Sequence, residues 1–186
     1  MSSPKTSFTY AAPLEKYKIT EEEYLKQNTQ YNILCTGAVI FNAEGKMLLV
    51  QRAKEEHAFP NCWEIPGGKV DDDDESILHA VAREVKEETG LDVTRVTRKV
   101  GEFGWEEFSE KRAKYVVWRK LIFEVEVANF NIVLDPMEHQ DYLYAAEEDI
   151  VNDKAGDVTL TWITAPNKAM NLDAFRQKRE EATPQL

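Results

Sequence analysis

The sequence has few cysteines and no long apolar run, and each shortage excludes a class of protein. The two cysteines, Cys35 and Cys62, form neither a disulfide framework nor a Cys-x-x-Cys metal pattern, and both fit as small core side chains. No apolar run approaches the roughly 18 residues of a membrane span, and the first residues lack a hydrophobic signal segment. We therefore expect a soluble, cytoplasmic protein without a membrane partner.

Basic residues are also scarce relative to acidic ones. Lys and Arg number 23 against 34 Asp and Glu, which gives a formal net charge of -11. A protein that binds a nucleic-acid polymer needs a basic face to neutralise the phosphate backbone, so such a partner is not expected. If this chain handles phosphates, it needs a cation.

What the sequence does contain is enough apolar material for one folded domain. The chain has 186 residues, of which 42% are hydrophobic, and a typical domain has roughly 150 residues. We predict an N-terminal extension with a short helix over 1–30, one domain over 31–165, and a C-terminal helix and tail over 166–186. The order of elements predicts an α/β (α+β) fold, with a mixed β-sheet sandwiched between α-helices.

Apolar periodicity and turn residues predict the individual elements. Thr20 and Glu23 have the spacing of a capping box, which predicts a helix that packs on the domain. The predicted helices are 21–26, 76–89, 145–151 and 167–181, the last of them amphipathic. The predicted strands are 31–41 and 47–52, both central, a short one at 63–65, an edge strand at 142–144, and further sheet over 93–127 interrupted by an acidic, aromatic loop at 104–108.

The helix predicted for 76–89 carries the chemistry. Its apolar residues occupy one arc of roughly 140° at 100° per residue: Ile77, Leu78, Val81, Ala82, Val85 and Thr89. Glu84, Glu87 and Glu88 converge on a patch beside this arc, where like charges repel unless a cation lies among them. Hard divalent cations with oxygen ligands meet that need, Mg²⁺ above all and Mn²⁺ as a second choice.

The residues before this helix turn the patch into a recognisable motif. Gly67 and Gly68 let the backbone approach an ion or a phosphate closely. The run from Gly67 to Leu91, with Glu75, seven residues, Arg83-Glu84, Glu87-Glu88 and Gly90, resembles the Nudix box of the Nudix hydrolases. One departure stands out, because six residues separate Gly68 from Glu75 where the family usually has five. The loop has gained a residue, and this leaves open which glycine carbonyl reaches a metal.

The resemblance implies an activity and assigns roles. Nudix hydrolases cleave the phosphoanhydride of a nucleoside diphosphate linked to a group X, by metal-activated water. Glu87 and Glu88 would be metal ligands with a carbonyl of Gly67 or Gly68, and Glu84 would be a further ligand or the base that orients the water. Arg83 would form an ion pair with Glu75. Glu138 is our candidate for an acidic residue that joins the site from a later loop, with Glu106 and Glu107 as alternatives.

Candidates for substrate contact are less specific. Lys69 lies beside the glycines, and a basic stretch follows the predicted loop: Lys111, Arg112, Lys114, Arg119 and Lys120. Trp105 and Tyr142 lead a set of aromatic residues that could stack on a base, together with Phe108, Trp118 and Tyr144, although aromatic residues in strands more often belong to the core. For His57, His79 and His139, structural or surface roles outweigh a catalytic one.

Two functions from different classes stay open. The first is an active pyrophosphohydrolase of a small nucleotide derivative. The second is a catalytically silent Nudix-like module that binds or senses a nucleotide, since a fold alone does not confer activity. The complete set of box glutamates favours the first. The sequence determines neither the group X nor the base, and a homodimer is left open.

Overall fold

The computed structural model describes residues 7–110 and 113–182. Its elements, in chain order, are listed here by their bounds: β1 Thr9–Tyr10, a 3-10 helix Ala12–Tyr17, α1 Glu21–Gln27, β2 Ile33–Val39, β3 Met47–Arg52, β4 Trp63–Glu64, α2 Ile77–Thr89, β5 Val93–Ser109, β6 Lys114–Val127, β7 His139–Ala145, α3 Glu147–Val151, β8 Lys154–Ala155, β9 Val158–Thr159 and α4 Ala165–Ala182. None of the helices in this part of the chain is both long and apolar enough to cross a membrane.

The strands form two main sheets and a small hairpin. One mixed sheet has the order β1-β5-β6-β2, with β1 parallel to β5 and β2 parallel to β6. The second has the order β4-β3-β7 and is antiparallel, while β8 and β9 pair with each other. One apolar cluster packs strand residues against α2, and the other packs them against α3 and α4. The predicted sandwich of helices around mixed β-structure is confirmed.

The sequence predicted a central position for both early strands, and this holds only for β3. The paired strands place β2 at the end of its sheet, yet it is buried along its whole length because the segment 66–70 covers its other edge. Thr36 N donates to Gly68 O (2.8 Å) and Val70 N donates to Leu34 O (3.0 Å). This pairing fixes the glycine-containing segment against the core.

The helix predictions are confirmed with small shifts of their ends. α1 has the predicted capping box between Thr20 and Glu23. α2 begins after the N-cap Ser76 and ends at Gly90, whose φ of 72° is left-handed. α4 begins two residues earlier than predicted, and its buried face includes Asn167 and Asn171, so its amphipathic character is weaker than the sequence suggested.

The predicted loop at 104–108 is wrong. β5 continues through these residues to Ser109 and pairs with β6 as far as Lys114. Most of this end of the two-stranded ribbon of β5 and β6 is exposed or half-buried. Its side chains therefore do not follow the alternation of apolar and polar residues seen in a strand that packs on a core. Cross-strand contacts hold it instead, such as the stacked rings of Trp105 and Trp118, 5.4 Å apart.

Candidate functional site

The glycine segment places backbone groups directly against α2. Gly67 has a φ of +145°, and a Cβ atom on it would lie 2.3 Å from Thr36 O and 2.6 Å from the Gly37 Cα. Only glycine fits this close approach to β2. In this conformation Gly67 N donates a hydrogen bond to Glu88 Oε2 (2.8 Å).

Glu84 and Glu88 lie on the buried side of α2, with 8% and 5% exposure. Glu84 accepts a hydrogen bond from Arg83 Nη1 (2.7 Å), and its carboxylate packs on Gly68, where an added Cβ would be 2.7 Å from Glu84 Oε2. Burial raises the pKa of Glu84 to about 7. Burial, followed by repulsion from Glu64, raises the pKa of Glu88 well above its ordinary value. A cation bound between them would stabilise the charged form of both carboxylates.

Arg83 binds the acidic loop at a different residue from the one predicted. Its guanidinium forms a bidentate salt bridge with Asp74, from Nε to Oδ1 (2.9 Å) and from Nη2 to Oδ2 (2.8 Å). Nη2 also donates a hydrogen bond to Lys69 O (3.0 Å). Glu75 Oε2 instead lies 3.5 Å from His79 Nε2. Five residues separate Gly68 from Asp74, which is the spacing that the family usually has before its glutamate. The additional loop residue therefore lies between Asp74 and the helix.

This pairing predicts how three substitutions rank in stability. Arg83→Gln and Asp74→Asn each break a pair in which the Asp74 side chain is only 6% exposed, and we expect a loss of about 2 kcal/mol in the free energy of unfolding. Glu75→Gln, at a side chain that is 53% exposed, should change it by less than about 1 kcal/mol. Urea unfolding in chelator measures all three. A larger loss in Glu75→Gln than in Asp74→Asn would return the role to Glu75.

Glu87 lies at the outer rim of the glutamate patch. Its side chain is 57% exposed, and its Oε2 accepts from Arg83 Nη1 (2.9 Å). Its predicted role as a metal ligand therefore requires its carboxylate to leave Arg83 for the cation, and that role stays a prediction.

The loop before β7 brings two further side chains to Glu88. It packs on the C-terminal end of α2, where Asp135 N donates to Glu88 O (3.3 Å) and Val133 N donates to Thr89 O (2.9 Å). This docking places ligand atoms of Glu88, Glu138 and His139 within 4.8 Å of one another. Glu138 is exposed and His139 is buried. The structure thus brings the predicted loop acid to the patch, whereas Glu106 and Glu107 lie on the exposed end of β5.

A buried charge network, which the sequence did not predict, lies behind this cluster. Glu64, only 4% exposed, is 2.8 Å from Arg52 Nη1, 3.9 Å from Lys120 Nζ and 3.7 Å from His139 Nε2. Burial raises the pKa of Glu64, but His139, Lys120 and Arg52 outweigh it and hold this pKa below its ordinary value. A glutamate between Trp63 and Ile65 in an apolar strand was a signal that could have identified it.

The predicted substrate-contact residues are spread more widely. Lys69 is exposed beside the glycine segment, and Tyr142 is 42% exposed on β7. Trp105 is half-buried and stacks on Trp118, which shares a face of β6 with Lys120 because side chains alternate along a strand. Lys111 and Arg112 lie outside the described residues.

Comparisons with known proteins agree on one family. A family model of the NUDIX domain matches residues 32–162. The chain is 33% identical over 146 residues to the CTP pyrophosphohydrolase of Escherichia coli strain K12, which covers 76% of the chain and 90% of that protein. It is 42% identical over 76 residues to the 8-oxo-dGDP phosphatase NUDT18 of Danio rerio, covering 39% of the chain but only 21% of that protein. The crystal structure of the MutT protein from Methanosarcina mazei Go1 superposes with a TM-score of 0.59 and 28% identity, covering 82% and 96% of the two chains.

Proposed function

The chain belongs to the Nudix hydrolase family, and from this premise we propose that it is a metal-dependent pyrophosphohydrolase of nucleoside triphosphates. The family acts on phosphoanhydrides, so the open points are the substrate and the residues that act on it. The E. coli relative that the chain matches over 90% of its length is named a CTP pyrophosphohydrolase. A second E. coli relative, covered over 86% of its length, is named a nucleoside triphosphatase. These names favour triphosphates over the other nucleotide derivatives.

The observation that carries the proposal is the burial of Glu84 and Glu88 beside the glycine segment. Two carboxylates that repel each other out of contact with solvent destabilise a protein unless a cation neutralises them. The donor set of Glu88, Glu138 and the Gly67 carbonyl fits a hard divalent cation, Mg²⁺ or Mn²⁺. The Gly68 carbonyl is engaged by Thr36 N (2.8 Å), which makes Gly67 the better donor of the two. A divalent cation here supplies positive charge for the diphosphate oxygens and acidifies water.

Glu84 is the residue best placed to accept the proton of the attacking water. Arg83 holds its carboxylate in place (2.7 Å), and burial brings its pKa to about 7, where a carboxylate can accept a proton and release it again. Arg83 itself is fixed by Asp74, so it acts as a positioning residue. Glu138, which is exposed, can serve as a further ligand or as an alternative base.

The base of the substrate would lie across the buried charge network from the cation site. Lys120 reaches from β6 to within 3.9 Å of Glu64 Oε2, and Trp118 and Trp105 follow it on the same face of the ribbon. A stacked pair of tryptophans offers an aromatic surface that accepts any base. We therefore expect Trp105 to lower the KM for several nucleotides rather than to select one; Tyr142 and Lys69 remain weaker candidates for this contact.

The proposal predicts the products and their dependence on metal. The purified protein should convert at least one nucleoside triphosphate into the monophosphate and pyrophosphate with Mg²⁺ or Mn²⁺, and excess EDTA should abolish the reaction. The panel should include ordinary and oxidised triphosphates, ADP-ribose, dinucleoside polyphosphates and NADH, with products identified by mass spectrometry. Turnover of ADP-ribose alone would keep the enzyme class and overturn the substrate. Tight nucleotide binding without any turnover would support the silent module instead.

A further inference from the structure

His139 is a buried histidine whose Nε2 lies 3.7 Å from Glu64 Oε1. It is 2% exposed, and neither ring nitrogen has a hydrogen-bond partner within the part of the chain that the structure describes. Buried polar groups in folded proteins are nearly always hydrogen-bonded, and a group left without a partner costs about 1–3 kcal/mol. Since the Glu64 carboxylate lies near Nε2, at least one ring nitrogen is left for a ligand that the chain itself does not provide.

The surroundings of His139 indicate what that ligand is. Ligand atoms of His139, Glu88 and Glu138 lie within 4.8 Å of one another. Two ligands on opposite sides of one divalent ion are about 4.2 Å apart, at about 2.1 Å from the ion each. One ion can contact all three side chains after only small adjustments. Two carboxylates beside an imidazole ring also exclude an anion as the occupant.

The network behind His139 supports the same conclusion. Histidines that bind metals commonly present their second ring nitrogen to a carboxylate, which orients the ring. Glu64 Oε1 lies 3.7 Å from His139 Nε2, beyond a hydrogen bond but close enough for one to form when the ring turns. Arg52 and Lys120 are paired with Glu64. These two cations hold Glu64 in place.

We propose that His139 is a nitrogen ligand of the ion held by Glu88 and Glu138, and that it biases this site toward divalent transition-metal ions such as Mn²⁺ over Mg²⁺. The inference rests on the proposed function for the cation site and adds a ligand of a different kind to it. Imidazole nitrogen is a good ligand for transition metals, whereas Mg²⁺ strongly prefers oxygen. The oxygen ligands alone would accept either ion.

The most direct test uses the unmodified protein with Mn²⁺ alone. Pulsed EPR of bound Mn²⁺ detects nitrogen nuclei that are directly coordinated. We expect a ¹⁴N signal that changes to the ¹⁵N pattern when the protein is made with ¹⁵N-labelled histidine. The chain has three histidines, and His57→Gln, at an exposed position, should leave the signal unchanged. Bound Mn²⁺ without a histidine nitrogen signal would overturn the proposal.

Substitution then measures the preference between metals. The ratio of Mg²⁺ to Mn²⁺ dissociation constants, measured by calorimetry without nucleotide, should fall by about tenfold in His139→Gln and stay constant in His57→Gln. An unchanged ratio in His139→Gln would refute the assigned preference. Glu88→Gln separates this inference from the proposed function: if that variant binds Mn²⁺ as tightly as wild type, the cation site itself is misplaced, whereas failure at His139 alone leaves the cation site in place.

Discussion

Glu88→Gln is expected to lower kcat/KM for the best triphosphate by about a thousandfold, close to 4 kcal/mol of transition-state stabilisation. Glu88 is the most buried of the box glutamates, and it is the one that the Gly67 N–H and the side chains of Glu138 and His139 approach. Glutamine keeps the shape and can still accept from Gly67, but it removes the charge that binds a cation. Calorimetry should show the loss of divalent cation binding in parallel with activity.

The same substitution should stabilise the protein when no metal is bound. The pKa of Glu88 is raised in the folded state by burial and by Glu64, so its contribution to stability is present below the unfolded pKa near 4.5 and is lost as the pH rises through the folded pKa. In EDTA, Glu88→Gln should therefore melt above wild type at pH 8, and the two should converge below about pH 4.5. Glu84→Gln should show the same gain, which develops between about pH 4.5 and 7 because the pKa of Glu84 is about 7.

Glu138→Gln is the matched control for these measurements. Its side chain is exposed, so we expect little change in melting temperature. As a further ligand or alternative base, it should contribute about tenfold to kcat/KM, which is close to 1.4 kcal/mol. If Glu88→Gln melted below wild type in EDTA and kept its stabilisation by Mg²⁺, the patch would be a structural network. The cation site would then have to lie elsewhere in the chain.

The sequence predicted those parts of the site that depend on local structure. The apolar arc of α2 is a property of adjacent residues, so the position of Glu84 and Glu88 beside the buried side of the helix followed from helical spacing alone. The Arg83 partner was misplaced by one residue, because spacing cannot show whether an inserted residue enters before or after the residue that pairs. Only the course of the loop from Gly68 to Ser76 places Asp74 against Arg83.

The parts that the sequence did not predict depend on contacts between distant segments. Glu64, Lys120 and His139 come from three different strands, and each of them alone resembles an isolated polar residue. His139 is buried at the start of β7, and the loop before it docks on the end of α2 through Asp135 and Glu88, a contact that has no local signal. The extension of β5 through 104–108 was not predicted for a related reason. Apolar and polar residues need not alternate along a strand that has no core on either side.

The two box glycines should separate structure from catalysis. In Gly67→Ala the new Cβ would meet backbone atoms of β2, 2.3 Å from Thr36 O and 2.6 Å from the Gly37 Cα, at a φ of +145°. Backbone in the middle of a buried strand cannot move aside. We expect a loss of about 3 kcal/mol or more in the free energy of unfolding, measured in urea with EDTA, because the segment 66–70 must detach from β2.

Gly68→Ala should have the opposite profile. The three atoms nearest to its Cβ would belong to the end of the Glu84 side chain, with Oε2, Cδ and Oε1 at 2.7, 2.9 and 2.9 Å, and this carboxylate can turn away. Stability in EDTA should change by less than about 1 kcal/mol, whereas kcat/KM should fall by about a hundredfold, since a displacement near 1 Å at a catalytic group has that effect. Normal activity in Gly68→Ala would show that the position of Glu84 does not matter for the reaction, and the role of base would pass to Glu138.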